Sequence, residues 1–427
     1  MRTLREGDWG ATAELLQWGL GRAGAEIAAD GVFGPLTTAA VRQWQEKNSL
    51  KPDGVAGPMT WASLYPYLVG IRLHSVRRGD TFDRLALQYD TTPEAIAVAN
   101  PLARPGRLTP GESLRIPLGA YIVPTSIRWS AGLLALVIEG LRGRYPFLGV
   151  NVIGRSALGR PLYQVTIGQG KTRVGYNAAH HANEWITTPV LLRFLEQYAY
   201  GVAFGGGIGG ADFRKLYASH TLDIVPMVNP DGVDLVTGAL DENTEAYKQA
   251  VAIADDFPHI PFPDGWKANI EGIDPNLSYP AGWEIAKKIK YAQGFDRPAP
   301  RDFVGPAPLA APESAAMARR AQQAEYRLIL AYHTQGKVIF WKYADYNPPG
   351  AYALGRRMEA VSGYALETTP EYSGHAGYKD WFIQEWNRPG YTIEAGEGVS
   401  PLPLSQFEEI YRDNIGILLL GMVGVEG

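Results

Sequence analysis

The stretch AAHHANEWITTP, residues 178 to 189, sets His180 and His181 just ahead of Glu184 in a chain with only seven histidines. A His-x-x-Glu pair at the end of a strand offers one ion an imidazole nitrogen and a carboxylate oxygen, which is zinc chemistry. A third ligand is expected on a neighbouring strand end, and His333 closes the apolar run YRLILAYH. Two histidines and one glutamate leave a coordination position open for water, as a catalytic rather than a structural zinc site requires. Glu394 is the candidate general base: it stands in the apolar run GYTIEAG, where an acid needs a partner or a function.

Such a set works only if several strands end together. From Tyr121 onward, apolar strand-like runs alternate with amphipathic helices, which argues for an α/β layer architecture. Four candidate strands matter: 173–179, 221–228, 326–333 and 390–396. Open α/β sheets bind ligands beyond the carboxyl ends of their strands, so these ends are expected to converge. Two insertions break the pattern. Residues 241–266 read as irregular, and the proline-rich run 295–312 reads as a loop rimming the site.

Composition narrows the alternatives. A chain of 427 residues exceeds one growing core, so two or three domains are expected. With 46% hydrophobic and 20% charged residues and a formal net charge of -4, it offers no polybasic surface for nucleic acid. The absence of cysteine excludes disulfides, thiolate metal sites and a cysteine nucleophile. The N-terminal MRTLREGDWG has no apolar signal-like region, and no run of about 18 apolar residues suggests a membrane span.

Near the N-terminus DGVFGPLTTAA (Asp30 to Ala40) is echoed by DGVAGPMTWAS (Asp53 to Ser63). In each copy a glycine turn leads into Pro-x-Thr, which opens a helix. This doubled pattern resembles the peptidoglycan-binding domains of bacterial wall hydrolases. Residues 73–117 predict a strand, a helix after Gly79-Asp80-Thr81, a helix after Thr92-Pro93, and a closing strand at Ser113 to Ile116. With GDT, NP and PGESLRIP, that unit resembles a LysM module, which implies binding to N-acetylglucosamine chains.

The remainder resembles the zinc carboxypeptidase A family. His181, Glu184 and Trp185 match its His-x-x-Glu-Trp, Asn229 to Gly232 its Asn-Pro-Asp-Gly turn, His333 its second metal histidine and Glu394 its catalytic glutamate. The resemblance thus implies one zinc ion on His181, Glu184 and His333, with His180 a bystander. It also places an Asp-Trp pair at Asp380 and Trp381 and a substrate-capping tyrosine at Tyr372. Two departures stand out. A family arginine that polarises the scissile carbonyl is Lys267 here, a cation without the bidentate fork. The arginine that grips a substrate's terminal carboxylate is replaced by Leu277, in Asp274-Pro275-Asn276-Leu277, which cannot pair an anion. Asn276 remains as a hydrogen-bonding group for the substrate. At the pocket-base position stands Lys379, which either meets a substrate carboxylate or pairs with Asp380 or turns to water.

The expected fold is therefore α/β: a zinc-carboxypeptidase-like mixed sheet flanked by helices (120–427), preceded by a small all-α domain (1–70) and a small βααβ domain (71–119). WKANIEGIDPN, YHTQGKVIFW and TIEAGEGVSPLPLSQF look like the γ-D-glutamyl-(L)-meso-diaminopimelate peptidases of the endopeptidase I type. That resemblance implies hydrolysis of peptidoglycan stem peptides in a cell-wall or spore setting, with glycan strands and stem peptides as partners. Two rivals are a carboxypeptidase for acidic C-termini and a wall-anchoring protein that only binds. Oligomeric state is silent in the sequence.

Overall fold

The computed structural model describes residues 1–119 and 121–424. The chain divides into two compact units, Met1–Gly149 with Ala199–Gly205, and Val150–Tyr198 with the chain from Gly206.

In the first unit, the DGVxGP repeat is built twice on one hydrogen-bond scheme. Gln17 in the helix Ala11–Arg22 donates to Asp30 Oδ1, Val32 O and Thr37 Oγ1, and accepts from Gly31 N. Gln45 in the helix Pro35–Lys47 does the same with Asp53, Val55, Thr60 and Gly54. A buried glutamine must find partners for both ends of its amide, and each turn is shaped to supply them. Gly31 and Gly54 both have φ of 76°, a left-handed conformation that favours glycine. The helix Pro58–Val69 completes the bundle. The unit that follows is β1 (Ile71–Ser75), helices Phe82–Tyr89 and Pro93–Ala99, and β2 (Ser113–Pro117), with β1 and β2 antiparallel. Thr81 and Thr92 cap the two helices with their hydroxyls, as Ser/Thr at an N-cap should. The helix Ala131–Arg144 also belongs to this unit. A Cβ at its Gly140 would collide with the carbonyl oxygen of Val69. Its Arg144 donates to the carbonyls of Gly70, Leu118 and Gly119.

The second unit is organised on eight strands: β3 (Gly149–Arg155), β4 (Pro161–Gly168), β5 (Thr172–Ala178), β6 (His220–Val225), β7 (Leu328–His333), β8 (Val338–Phe340), β9 (Ala365–Glu367) and β10 (Gly390–Glu394). Their spatial order is β9-β8-β10-β7-β5-β6-β4-β3. The central run β10-β7-β5-β6 is parallel throughout, whereas β4 and β8 pair antiparallel with β6 and β10. Parallel strands covered on both faces read as continuous apolar runs, and every residue of β7 is buried. Because the four central strands point one way, Glu394, His333, Ala178 and Val225 all lie at one edge of the sheet. Glu394 and His333 are direct register partners.

The insertion 241–266 is not wholly irregular. Glu245–Asp255 is a helix capped by the Thr244 hydroxyl, burying Ala250 and Ala254 on one side. Its buried stripe is made of alanines, too weak an apolar signal to stand out from the polar surroundings. In the second insertion, no helix or strand interrupts residues 293–311. Among the described residues, no helix is long and apolar enough to cross a membrane.

Candidate metal centre and catalytic cleft

β5 ends at Ala178, and Ala179 takes φ of 51°, a left-handed conformation costly for a residue with a Cβ. That turn is held in place: Ala179 N donates to Thr187 Oγ1, and Asn229 N donates to Ala179 O. Asn229, from the Asn-Pro-Asp-Gly turn, also ties two neighbouring segments together by donating to His180 O and Ala268 O. Gly232 must be glycine here, since a Cβ would lie 2.7 Å from both Ala182 Cβ and Ala268 O. The turn thus aims His181 and Glu184 over the sheet edge.

His181, Glu184 and His333 form a group that could hold one metal ion, with ligand atoms within 4.8 Å of one another. His181 Nδ1 lies 3.2 Å from His333 Nδ1 and 3.0 Å from Glu184 Oε1, and His333 Nδ1 lies 2.9 Å from Glu184 Oε2. Ligands about 2.0–2.1 Å from a tetrahedral ion stand about 3.3 Å apart, so the two imidazole nitrogens and the Glu184 carboxylate between them are close to the spacing of ligands to one zinc. The opposite nitrogen of His181, Nε2, faces Asp274 Oδ1 at 3.1 Å. As donor to that carboxylate, Nε2 keeps the Nδ1 lone pair toward Glu184 and His333, the arrangement metal-binding histidines adopt.

His180 points elsewhere. It is fully buried, its Nε2 is 3.0 Å from Tyr279 OH, and its ring stacks against that of His333 at 5.8 Å. It acts as packing behind a ligand.

Lys267 Nζ lies 2.9 Å from Glu184 Oε1. Burial disfavours its charge, but the charge and hydrogen bond of Glu184, with a smaller pull from Glu394, together raise its pKa. Burial raises the Glu394 pKa against the opposing pull of His333, which brings the group toward the range of a useful base. Asp274 is held well below the usual carboxylate range: burial opposes this, but His181 and Lys267 prevail.

The substrate-side residues are less uniform. Asn276 Oδ1 accepts from Tyr378 N, and Nδ2 makes no hydrogen bond among the described residues, so the amide presents donors to a ligand. Tyr372 lies on the short turn Glu371–Ser373 and is 65% exposed, outside the packed core and free of the constraints on the metal group. Lys379 is buried at 3% exposure and already engaged. Its ammonium donates to Lys342 O and Thr369 Oγ1 and sits 2.6 Å from Asp380 Oδ1. Of the three options open in the sequence, the geometry realises the pairing with Asp380. Two residues given no role in the sequence also reach this region. Asp274 stands within DPNL, but its spacing there carries no sign of a contact with His181, 93 residues away. Arg301 lay hidden in the proline-rich loop.

Comparison with known proteins follows the same division. Residues 135–415 match the family model described as zinc carboxypeptidase. Residues 10–64 match a putative peptidoglycan binding domain, and residues 74–117 a LysM domain. Over 285 residues the chain is 42% identical to gamma-D-glutamyl-L-diamino acid endopeptidase 1 of Lysinibacillus sphaericus, covering 67% of this chain and 70% of that protein. Over 282 residues it is 40% identical to an uncharacterized protein of Bacillus subtilis (strain 168), covering 64% and 72% respectively. The fold is shared with bovine thrombin-activatable fibrinolysis inhibitor, solved in complex with tick carboxypeptidase inhibitor. That likeness has a TM-score of 0.52 at 17% identity, over 70% of this chain and 98% of that one. The chain belongs to the zinc carboxypeptidase family and is a metallopeptidase that carries a peptidoglycan-binding and a LysM domain.

Proposed function

We propose that this peptidase hydrolyses the bond between γ-D-glutamate and diaminopimelate in peptidoglycan stem peptides. The observation that carries the reading is 42% identity, through the catalytic region, to an enzyme named for the γ-D-glutamyl-L-diamino acid bond. Leu277 supports it, because a peptidase without an arginine at that position has no anchor there for an ordinary C-terminal carboxylate. The division proposed is a helical wall-binding domain (1–70), a LysM module (71–119) and the catalytic domain (120–427). The wall-binding modules raise the local concentration of substrate, so the enzyme works on the cell wall or in a spore.

His181, Glu184 and His333 would hold the zinc ion. When bound, zinc supplies Lewis acidity and lowers the pKa of its water to about 7. Glu394 takes the proton of the attacking water and delivers it to the leaving amino group of diaminopimelate. Lys267 stabilises the negative charge that develops on the scissile carbonyl oxygen. Asn276 donates through Nδ2 to a substrate oxygen. Tyr372, on its exposed turn, closes over the peptide. Lys379 is proposed at the base of the side-chain pocket, where a substrate carboxylate would compete with Asp380 for its ammonium.

Mass spectrometry of the products from purified muropeptides tests the reading. Release of a fragment ending in γ-D-glutamate is expected. Removal of only the terminal D-alanine from a tetrapeptide stem, with the γ-D-glutamyl bond left intact, would make the protein a carboxypeptidase. Zinc binding without hydrolysis of any stem peptide would make it a wall-binding protein.

A further inference from the structure

The proline-rich loop is fastened to the catalytic cleft at three points on either side of one arginine. Pro300 O accepts hydrogen bonds from Lys267 N at 2.7 Å and Ala268 N at 2.9 Å. Asp302 N donates to Asp274 Oδ2 at 3.2 Å. Arg301, between them, is therefore held beside both the cation proposed to face the scissile carbonyl and the carboxylate that orients His181. Asp302 has φ of 68°, a backbone conformation that a non-glycine residue keeps only where its surroundings impose it.

Arg301 does not have its carboxylate partner to itself. Its Nε lies 2.6 Å from Asp302 Oδ2, while Lys290 Nζ lies 2.6 Å from Asp302 Oδ1. Two cations thus share one carboxylate. The Nη nitrogens of Arg301 make no hydrogen bond among the described residues, and its side chain is 41% exposed. Its charge also acts on Lys267, Asp274 and Glu184. A guanidinium with an open fork is suited to a carboxylate. Elsewhere in the cleft such a partner is scarce: Leu277 is uncharged and Lys379 is engaged by Asp380.

We propose that Arg301 is a specificity-determining residue whose guanidinium pairs with a substrate carboxylate adjacent to the scissile amide. The inference rests on the γ-D-glutamyl reading above. A γ-linked stem tripeptide has two such groups: the α-carboxylate that γ-linkage leaves free on glutamate, and the main-chain carboxylate of the diamino acid, which longer stems tie up in an amide. An ordinary α-linked peptide has no equivalent of the first. The pinned loop therefore returns to the cleft a carboxylate-binding cation that Leu277 does not provide.

The test compares the parent enzyme with Arg301→Ala and Arg301→Lys on three peptides. These are L-alanyl-γ-D-glutamyl-diaminopimelate, its analogue amidated at the glutamate α-carboxyl, and its analogue amidated at the diaminopimelate main-chain carboxyl. On the unmodified peptide, Arg301→Ala should lower kcat/KM by about 10- to 100-fold, mainly through KM, as loss of a charged hydrogen bond implies. Zinc content should stay at the parent level, since Lys290 still holds Asp302, and Arg301→Lys should recover part of the loss. The loss should vanish on the one analogue that lacks the recognised carboxylate, and that analogue identifies it. An equal loss on all three peptides, or none on any, overturns the inference and leaves the proposed activity intact. Failure of the parent enzyme to cut any of the three overturns that activity first, and this inference with it.

Discussion

Asp274 Oδ1 meets His181 Nε2 at 3.1 Å, and this contact decides which imidazole nitrogen faces Glu184 and His333. The same oxygen accepts from Asn276 N and the other from Asp302 N, so one carboxylate fixes a ligand, a substrate-side residue and the proline-rich loop. Asp274→Ala should weaken zinc binding by about 10- to 100-fold, the usual effect of losing a partner behind a metal ligand. Competition with a chelator of known affinity measures it. Unchanged zinc affinity would mean that His181 keeps its orientation without Asp274.

Glu394→Gln keeps the shape of the side chain but removes the base. Zinc content should match the parent, while turnover of a stem peptide falls by about 100- to 10,000-fold or more. Metal analysis and initial rates on the same preparation separate the two quantities. Near-normal turnover would remove Glu394 from proton transfer.

The metal group was legible in the sequence because its chemistry constrains residue type: zinc takes imidazole and carboxylate ligands, and His181, Glu184 and His333 each follow or close an apolar run that forms a strand. The four central strands were legible as apolar runs, and their shared direction follows from the observed pairing. What could not be read depends on backbone paths. Asp274 and Arg301 act through the way a loop without helix or strand folds back on Lys267, and nothing in local spacing encodes Pro300 O meeting two amide groups. The helix Glu245–Asp255 was obscured by its alanine stripe. Lys379 shows the limit from another side: the sequence left a substrate carboxylate, Asp380 and water open as its partner, and the fold brings Asp380 Oδ1 to 2.6 Å from its ammonium.

Lys379 and Asp380 are both nearly inaccessible to solvent, so each stabilises the other's charge. Lys379→Met strands the carboxylate and should cost about 3–5 kcal/mol of stability. The double variant Lys379→Met/Asp380→Asn should recover much of that. If the lysine also reads the substrate, the parent will prefer diaminopimelate over lysine stem peptides, and the double variant will narrow that preference. Peptide kinetics decide: an unchanged preference would confine Lys379 to pairing with Asp380.

A chain beginning at Tyr121 retains every residue proposed for the site, and should hydrolyse soluble tripeptide near the parent rate while no longer sedimenting with sacculi. It should also melt at a lower temperature. The helix Ala131–Arg144 packs Gly140 against Val69, and Arg144 donates to the carbonyls of Gly70, Leu118 and Gly119, all of which the shortened chain lacks. A zinc-loaded but inactive shortened enzyme would show that the N-terminal modules help to build the site.

Glu313 sets a pH dependence of stability that is separate from catalysis. It is fully buried at the start of the helix Pro312–Ala324, where Oε1 accepts from Ala157 N and Oε2 from Asn269 Nδ2. Burial pushes its pKa up to about 7 from an ordinary value of 4.5, with those hydrogen bonds opposing only in part. Between these values the folded protein keeps a proton that the unfolded chain has released. Stability must therefore fall as pH rises through that window, by at most about 3 kcal/mol for a shift of this size. Below the window both states are protonated and nothing is lost. Glu313→Gln holds the side chain neutral at every pH, but a single carbonyl oxygen cannot serve both donors, so it gives up about 1 kcal/mol. Urea unfolding at pH 5 and pH 8 should find the parent more stable than the variant at pH 5, with the gap closed or reversed at pH 8. Equal losses in both proteins between the two pH values would show that Glu313 is ionised in the folded state and that another group carries the dependence.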